Sequence, residues 1–420
     1  MRKIISNIIN RGVEEIIPKE EFLKSLDSNN NLRLKMGFDP SAPDIHLGHS
    51  VGLRKLRQLQ DLGHTVVLIV ADWTAQIGDP SGKSDTRPML TYDEVKYNAE
   101  TYLKQFFKIV DKSKTEIRWQ SEWYGKFKLE NIINLTSKFT VAQFLARDDF
   151  AKRFKSNNPI TITEFLYPIL QAYDSVVIKS DVEFGGTDQK FNLLVGRDLQ
   201  QKENQKPQQC FLVQIIPGTD GKKKMSKSLN NYIGITEKPE EIYGKLMSIP
   251  DELIKLYMLC LTDIENDLIK EFENSLGNSN SNPMEYKKIL AHDIVSQYHS
   301  TQKADKAAEY FRQAVQEKNV TFEQVKFEIN NIQPDEKLSK LLISKNFVSS
   351  NSEFKRLLKQ NGVKLNGNLI TEDILISKIK NKVFSLYFLL SLSGFQMSLY
   401  QPVHSPRRGW AFNTFHNQQN

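Results

Sequence analysis

The sequence contains very little cysteine, and this scarcity limits both its chemistry and its compartment. Only Cys210 and Cys260 are present among 420 residues, too few for a disulfide framework or a four-thiolate zinc site. The 20 glycines and 15 prolines are also too few for a collagen-like or low-complexity chain. We therefore expect a globular protein of a reducing compartment, the cytoplasm.

Long apolar runs are missing as well. The N-terminal segment carries Arg2 and Lys3 but reaches Glu14 and Glu15 without an apolar core or a small-residue cleavage site, so we expect no signal peptide. The one long uncharged stretch, 383–400, is interrupted by serines, a glycine and a glutamine. It is a poor match to a bilayer span, and we expect no membrane association.

What the chain does have is length and positive charge. A chain of 420 residues is long enough for about three domains. Its 57 basic and 50 acidic residues leave a net charge of +7. Such an excess attracts polyanions such as nucleic acids, although it identifies none of them.

A strand–helix–strand unit is predicted near the N-terminus. Residues 32–36 alternate between apolar and basic side chains, and residues 65–70 (TVVLIV) are a run rich in β-branched residues. Both patterns predict strands. Between them leucines recur every third residue and Gly63 follows at a helix C-terminus, which predicts a crossover helix. A parallel pair of this kind indicates a doubly wound α/β sheet, whose ligands lie beyond the carboxyl ends of the strands, here 37–49 and 71–83.

The rest of the chain predicts an interrupted sheet and further domains. Residues 93–160 are mainly helical and split the sheet as an insertion, and 174–178 and 181–184 are later strand candidates. We predict these domains: a Rossmann-like domain, 1–230; an α-helical domain, 231–325; a linker, 326–336; a small α+β domain, 337–382; and a tail of atypical composition, 383–420.

Two histidines three residues apart follow the first predicted strand. His46 and His49 fall in the first turn of the next helix, where free backbone N–H groups and the helix dipole favour an anion such as phosphate. Gly48 between them lets a flat base or a sugar approach the backbone. An isolated pattern of this kind is more often two surface histidines beside a tight turn.

A lysine cluster occurs much later, at residues 221–228 (GKKKMSKS). By itself it fits a solvated basic face as well as a polyanion site. With the histidines it resembles the paired HIGH and KMSKS signatures of class I aminoacyl-tRNA synthetases. The resemblance implies that His46, His49, Lys224 and Lys227 bind the ATP phosphates and take part in catalysis.

Three polar side chains share one predicted helical stripe. Tyr167, Gln171 and Asp174 are spaced i, i+4 and i+7. This set suits a ligand with a zwitterion and a phenol, and a helix with a mixed surface is the alternative. The spacing resembles the substrate helix of tyrosyl-tRNA synthetases more than that of tryptophanyl enzymes. The resemblance implies that Tyr167 and Gln171 hold the α-amino group of tyrosine and that Asp174 accepts from its hydroxyl.

Shorter segments resemble the same family, although each alone would be an ordinary turn. They are 37–41 (GFDPS), 77–83 (IGDPSGK) with a following arginine, and 185–189 (GGTDQ). The resemblance implies tyrosine-binding roles for Asp39, Asp79 and Gln189. It implies ATP contacts for Ser41, Gly48 and Asp188, with Asp188 on the ribose. It also implies that Lys83 and Arg87 reach the pyrophosphate and take part in catalysis.

The segment 350–367 resembles a small RNA-binding domain shared with a ribosomal small-subunit protein. The resemblance implies that Lys355, Arg356 and Lys359 contact RNA phosphates. A basic helical hairpin without that function is the alternative.

Two features depart from the family pattern. Lys35 stands where many tyrosyl enzymes have a tyrosine that shares the phenol hydroxyl. The string 39–49 (DPSAPDIHLGH), the acidic Asp72 and the MSK form of the lysine cluster resemble instead a second bacterial and organellar subgroup. We count Lys35 among the tyrosine-binding residues. After Asp373 no acidic residue follows, and 383–388 is apolar where the family usually has a basic strand. A frameshifted or read-through tail is our hypothesis, with an incompletely closed small domain.

The resemblance, over roughly residues 1–380, implies a bacterial tyrosyl-tRNA synthetase with an anticodon-side helical domain. Its substrates would be L-tyrosine, ATP with Mg²⁺ and tRNA(Tyr), with no tightly bound protein metal. It also implies a homodimer joined through about residues 130–165. A tryptophanyl enzyme and an RNA-binding paralogue that activates no amino acid are the alternatives.

Overall fold

The computed structural model describes residues 2–28, 30–40, 44–80, 91–275, 282–313, 322–328, 336–345, 347–348, 350–359, 363–379 and 383–389. The chain divides into two compact units, residues 1–317 and 318–420.

The first unit is built on a six-stranded sheet. Its strands are β1 (Val13–Ile17), β2 (Arg33–Phe38), β3 (Thr65–Val70), β4 (Thr115–Trp119), β5 (Val182–Gly186) and β6 (Gln209–Val213). They lie in the order β1-β6-β5-β2-β3-β4, all parallel except β1, which runs antiparallel at one edge. The chain leaves β2 towards β3 on one side and later returns to β5 on the other. This reversal forms a switch point beyond the carboxyl end of β2, where sheets of this type bind ligands.

Helices cover this sheet and continue after it. They are α1 (Arg2–Asn10), α2 (Lys19–Asp27), α3 (Leu47–Asp61), α4 (Thr74–Ile77), α5 (Tyr92–Phe106), α6 (Ser121–Tyr124), α7 (Leu129–Thr136), α8 (Val141–Leu145), α9 (Asp148–Lys155), α10 (Ile162–Ile178), α11 (Lys190–Lys202), α12 (Pro239–Met247), α13 (Leu253–Leu261), α14 (Asn266–Ser275), α15 (Pro283–Tyr298) and α16 (Thr301–Phe311). Among the described residues no helix is long and apolar enough to cross a membrane.

The predicted strand–helix–strand unit is confirmed by β2, α3 and β3, and the predicted strand at 174–178 is wrong. Those residues are the last turns of α10, which starts with a capping box between Thr161 and Glu164. Its apolar end resembles a strand locally, but the cap starts a helix that continues through Ile178. Strand β4 was not predicted, because none of its side chains is fully buried and its charges obscure the alternation.

The second unit contains a four-stranded antiparallel sheet. Its strands are β7 (Phe322–Glu328), β8 (Val363–Leu365), β9 (Asn368–Leu369) and β10 (Val383–Leu389), in the order β7-β10-β8-β9, accompanied by α17 (Leu338–Ser344) and α18 (Asn351–Lys359). Leu338, Leu342, Phe354 and Leu386 are fully buried together in its core.

Strand β10 corrects two predictions about the C-terminal region. Residues 383–389, assigned to an atypical tail, pair with both β7 and β8, and Leu386 is buried. Residues 326–328, assigned to a linker, belong to β7. The apolar composition of 383–389 suited the middle of a sheet, so the change in composition was misread as the end of the domain. Residues 390–420 lie outside the described residues.

Candidate active site at the switch point of the sheet

The two histidines lie at the start of α3, directly after β2. The Nδ1 atom of His46 accepts from the backbone N–H of Gly48 at 3.1 Å, and Nδ1 of His49 accepts from the N–H of His46 at 3.3 Å. The two rings stack with their centroids 3.8 Å apart. Because each Nδ1 is an acceptor, a neutral ring carries its proton on Nε2 and can donate it to a ligand.

Both histidines are held in the neutral form. Burial, followed by the neighbouring His49 and by Lys227 and Lys224, lowers the pKa of His46 to about 2. Desolvation, followed by Lys227 and Lys224, also lowers the pKa of His49. At neutral pH the pair therefore offers hydrogen bonds rather than positive charge.

Gly48 is needed by the histidine arrangement itself. A Cβ atom at this position would lie 2.9 Å from two atoms of the His46 ring and 3.5 Å from the Cβ of Met225. The first distance is too short for any real contact, so a side chain here would displace His46. The role of Gly48 in admitting a base or sugar stays a prediction, and the geometry gives a second reason for glycine at this position.

The lysine loop, residues 218–231, lies beside these histidines as the two motifs together predict. The Nζ atom of Lys224 is 3.2 Å from Oδ2 of Asp188, and the ammonium of Lys227 pairs with Asp44. Asn231 supports the loop, since its side chain accepts from the N–H of Ser226 and donates to the carbonyl of Lys224. The loop thus places two ammonium groups near the histidine pair and Asp188.

A second polar group lines the switch point beside β2. The hydroxyl of Tyr167 donates to Oδ2 of Asp39 at 2.8 Å, and Nε2 of Gln189 donates to Oδ2 of Asp79 at 2.6 Å. Burial and then Asp39 and Asp79 raise the pKa of Tyr167 well above its usual value. The phenol is therefore a permanent donor, and the two carboxylates give the site the negative character that suits a ligand ammonium.

Asp174 lies deeper, on the same helix as Tyr167. Its Oδ2 accepts from Nε2 of Gln120 at 2.8 Å, and its Oδ1 accepts from the indole of Trp123 at 3.2 Å. Burial raises the pKa of Asp174 to about 7, while Lys35 and the bond from Gln120 oppose that shift. The carboxyl group is thus poised to titrate near neutral pH.

Lys35 is completely buried and makes three polar contacts. Its ammonium donates to the carbonyl of Gln171 at 2.8 Å and to the hydroxyl of Ser175 at 2.7 Å, and it lies 2.9 Å from Oε1 of Glu183. An ammonium has three protons, and these acceptors occupy all of them. A direct contact between Lys35 and a bound phenol would require one of these bonds to break.

Other residues join the predicted ones to this group. Nε2 of Gln171 donates to Glu183 at 3.1 Å, and Asn192 donates to Oε1 of both Gln171 and Gln189 at 3.2 and 3.1 Å. The sequence contained a signal for Glu183, which is the one acidic residue of the buried strand β5. It contained none for Gln120 or Asn192, whose roles depend on distant parts of the chain.

Several predicted residues lie outside the part of the chain that the structure describes. Ser41, Lys83 and Arg87 lie outside the described residues, as do the side chains of Arg356 and Lys359. Lys355 is exposed on α18 of the second unit. In the part of the chain that is described, no group of three or more His, Cys, Asp or Glu residues is arranged to hold a metal ion.

Comparison with known proteins identifies the class. Residues 27–316 match the family of tRNA synthetases class I (W and Y), and the chain belongs to that family. It is 58% identical to a tyrosine--tRNA ligase of Dehalococcoides mccartyi over 88% of this chain and 93% of that protein. It is also 46% identical to tyrosine--tRNA ligase 2 of Vibrio cholerae, over 90% and 95% of the two chains. Within the class, its activity is that of a tyrosine--tRNA ligase.

Solved structures agree on the fold. The tyrosyl-tRNA synthetase of Archaeoglobus fulgidus, solved with L-tyrosine, superposes with a TM-score of 0.58 over 73% of this chain and 99% of its own, at 21% identity. At that identity the likeness concerns the fold, which is the mixed α/β fold of class I synthetases with a mainly parallel sheet.

Proposed function

We propose the following roles in substrate binding and catalysis for the residues that join tyrosine to tRNA(Tyr). The observation that carries it is the convergence at one switch point of a histidine pair, two loop lysines and the polar group around Tyr167. Anion-binding groups would then lie next to a site suited to a zwitterionic phenol. The proposal assigns L-tyrosine to the polar group and Mg-ATP to the histidines and lysines.

Tyrosine would be held at both ends. Asp39, Asp79, Tyr167 and Gln171 surround its ammonium, and Gln189 lies near its carboxylate. Asp174, at the deep end, accepts a hydrogen bond from the phenol hydroxyl. The buried pair of Lys35 and Glu183 fixes Gln171 and the neighbouring helix, which makes Lys35 a supporting residue of the tyrosine pocket.

ATP would lie across α3, with its ribose on Asp188 and its phosphates between the histidines and the lysine loop. The Nε2–H groups of His46 and His49 donate to phosphate oxygens, and Ser41 and Gly48 add contacts. Lys224 and Lys227, with Lys83 and Arg87 of the 81–90 segment, supply the positive charge. Mg²⁺ enters as part of the nucleotide substrate.

The reaction then needs position and charge rather than a covalent enzyme intermediate. A carboxylate oxygen of tyrosine attacks the α-phosphorus, the bond to the bridging oxygen breaks, and pyrophosphate leaves with Mg²⁺. A terminal hydroxyl of tRNA next attacks the adenylate carbonyl and releases AMP. Groups that stabilise the charge developing on the phosphates should affect the rate more than the affinity.

The remaining contacts of the proposal involve larger partners. We assign tRNA binding to the net positive charge, the α-helical region after residue 231 and the second unit, where Lys355, Arg356 and Lys359 would contact phosphates. We assign a homodimer contact to the insertion, because five large apolar side chains on α7 to α10 are exposed by 59–80%: Leu129, Ile133, Val141, Phe154 and Ile162. With a tRNA substrate and two free, buried cysteines, the protein would act in the cytoplasm.

The test of this assignment is Lys227→Ala in ATP–pyrophosphate exchange. Losing one ammonium that stabilises the transition state should slow adenylate formation by about 10²-fold, equivalent to about 3 kcal/mol, with little change in tyrosine affinity. Lys223→Ala, which removes an exposed ammonium from the same loop, is the matched control. A collapse of tyrosine binding with the chemical step intact would refute the role given to Lys227. Exchange with tryptophan in place of tyrosine tests the tryptophanyl alternative.

A further inference from the structure

Asp44 is an acidic residue beside the histidine pair and the lysine loop, and the proposed reaction does not use it. It lies two residues before His46, and its carboxylate pairs with the ammonium of Lys227. Nε2 of Gln105 approaches its Oδ1 at 3.4 Å, while Oε1 of the same Gln105 accepts from the N–H of Ile45 at 2.8 Å. Helix α5 therefore supports the segment that carries Asp44, so this carboxylate is a positioned partner for Lys227.

Carboxylates of the protein pair with Lys224 and Lys227 of the loop. Lys224 pairs with Asp188 as Lys227 pairs with Asp44, and the ammonium of Lys227 also lies 5.7 Å from the centre of the Tyr232 ring. The loop additionally has backbone attachments to the body of the unit, including the N–H of Met225 to the carbonyl of Ile216 at 3.1 Å. The loop is thus docked on the body of the unit, and its cations have anionic partners within the protein.

We propose that Asp44 is a positioning residue that occupies Lys227 until the triphosphate replaces it. A carboxylate and a phosphate offer a lysine the same kind of partner, and one ammonium cannot give its best geometry to both. The triphosphate carries more charge, so it displaces Asp44, which then lies close to a like charge. The exchange keeps the loop docked in the empty enzyme but subtracts from the apparent affinity for ATP. This inference rests on the proposed role of Lys227, which the exchange assay of Lys227→Ala tests separately.

The size of the effect follows from the exposure of the pair. The side chains of Lys227 and Asp44 are 25% and 39% exposed, so solvent screens their attraction and the pair is a weak competitor. Because Lys224 and the backbone contacts still hold the loop, removing the competitor should outweigh any loss of docking. We therefore expect Asp44→Asn to lower the KM for ATP about two- to fivefold.

The experiment compares Asp44→Asn with the wild type at saturating tyrosine. The KM for ATP in pyrophosphate exchange should fall, the KM for tyrosine should stay the same, and trypsin should cut the empty protein faster after the loop lysines. Asp44→Glu, which keeps the charge, should restore wild-type behaviour. Raising the salt concentration should narrow the difference in KM for ATP between the wild type and the variant, because salt screens the pair. Asp198→Asn is the control for the loss of one negative charge, because it removes the carboxylate that pairs with Lys202 far from the site.

Three results would overturn the inference. A higher KM for ATP with a lower kcat would make Asp44 a support for the catalytic position of Lys227 rather than its competitor. An unchanged KM for ATP together with unchanged trypsin cutting would mean that the pair of Lys227 and Asp44 affects neither ATP binding nor the docking of the loop. An equal change in the KM for tyrosine, or in the thermal midpoint, would indicate that the substitution disturbs the fold around Gln105.

Discussion

The titration of Asp174 should make recognition of the tyrosine hydroxyl depend on pH. Burial raises the pKa of this carboxyl group to about 7, although Gln120 and Trp123 donate to it. The ionised form is the stronger acceptor for a phenol O–H. The protonated form carries a hydrogen that needs an acceptor of its own. Tyrosine should therefore bind more weakly as the pH falls through 7, whereas phenylalanine, which lacks the hydroxyl, should not respond.

The expected magnitude follows from the linkage of one proton. Below the pKa each pH unit lowers the fraction of ionised Asp174 about tenfold, so the ratio of kcat/KM for tyrosine over phenylalanine should fall about tenfold between pH 8 and pH 6. Asp174→Asn has nearly the same shape but does not titrate. This variant should remove the pH dependence. It should also lower the ratio below that of the ionised wild type by a factor of about 10 to 200, because a hydrogen bond to a charged group is lost.

The assay is ATP–pyrophosphate exchange with each amino acid across this pH range in the same buffers. Phenylalanine in the wild type reports all pH effects unrelated to the hydroxyl, such as those on ATP binding. A tyrosine-to-phenylalanine ratio that stays flat in the wild type would refute the reasoning, as would a ratio that still varies in Asp174→Asn. The hydroxyl would then be read elsewhere, with Lys35 and Asp72 as the first residues to test.

Three further predictions concern stability and assembly. Lys35→Met should lower the free energy of unfolding by about 3–5 kcal/mol in a denaturant titration, because it leaves the Glu183 carboxylate buried without its cation. Adding Glu183→Leu should recover most of the loss. A loss below about 1 kcal/mol would mean that the pair is not buried in solution. Deleting residues 390–420 should leave tyrosine activation and the unfolding of the second unit unchanged. Deleting residues 383–420 removes β10 and should abolish the cooperative unfolding transition of the second unit. Equal behaviour of the two truncations in calorimetry would contradict the assignment of β10 as a strand of this sheet. Phe154→Asp with Ile162→Asp should halve the solution mass of a dimer, whereas the exposed control Ile4→Asp should leave it unchanged. An unchanged mass in the double variant would place the contact outside the insertion.

Local spacing in the sequence was enough to predict the candidate site, but not the distant residues that hold its side chains in place. His46 with His49, and Tyr167 with Asp174, are close in sequence, so helical periodicity brings them together wherever the helix lies. The pairs Lys35 with Glu183 and Gln120 with Asp174 join distant residues, and only the strand order that places β5 beside β2 and β4 beside β3 creates them.

The C-terminal misreading has a similar cause. Composition distinguished residues 383–389 from the preceding charged chain, and that contrast suggested a boundary. A strand in the middle of a small sheet is also expected to be apolar, and the sequence does not show which partners it has. The pairing of β10 with both β7 and β8 decides between the two interpretations.

The position of β10 also bears on how the second unit folds. Its partner β7 precedes it by about 60 residues, so this pairing closes a long loop and raises the contact order of a small domain, a feature of slow folding. While the chain is being synthesised, β7 and β8 are complete before the strand that joins them exists. Until then each presents an open edge able to pair with another chain. The final strand of the sheet is therefore also its protection against intermolecular pairing during synthesis.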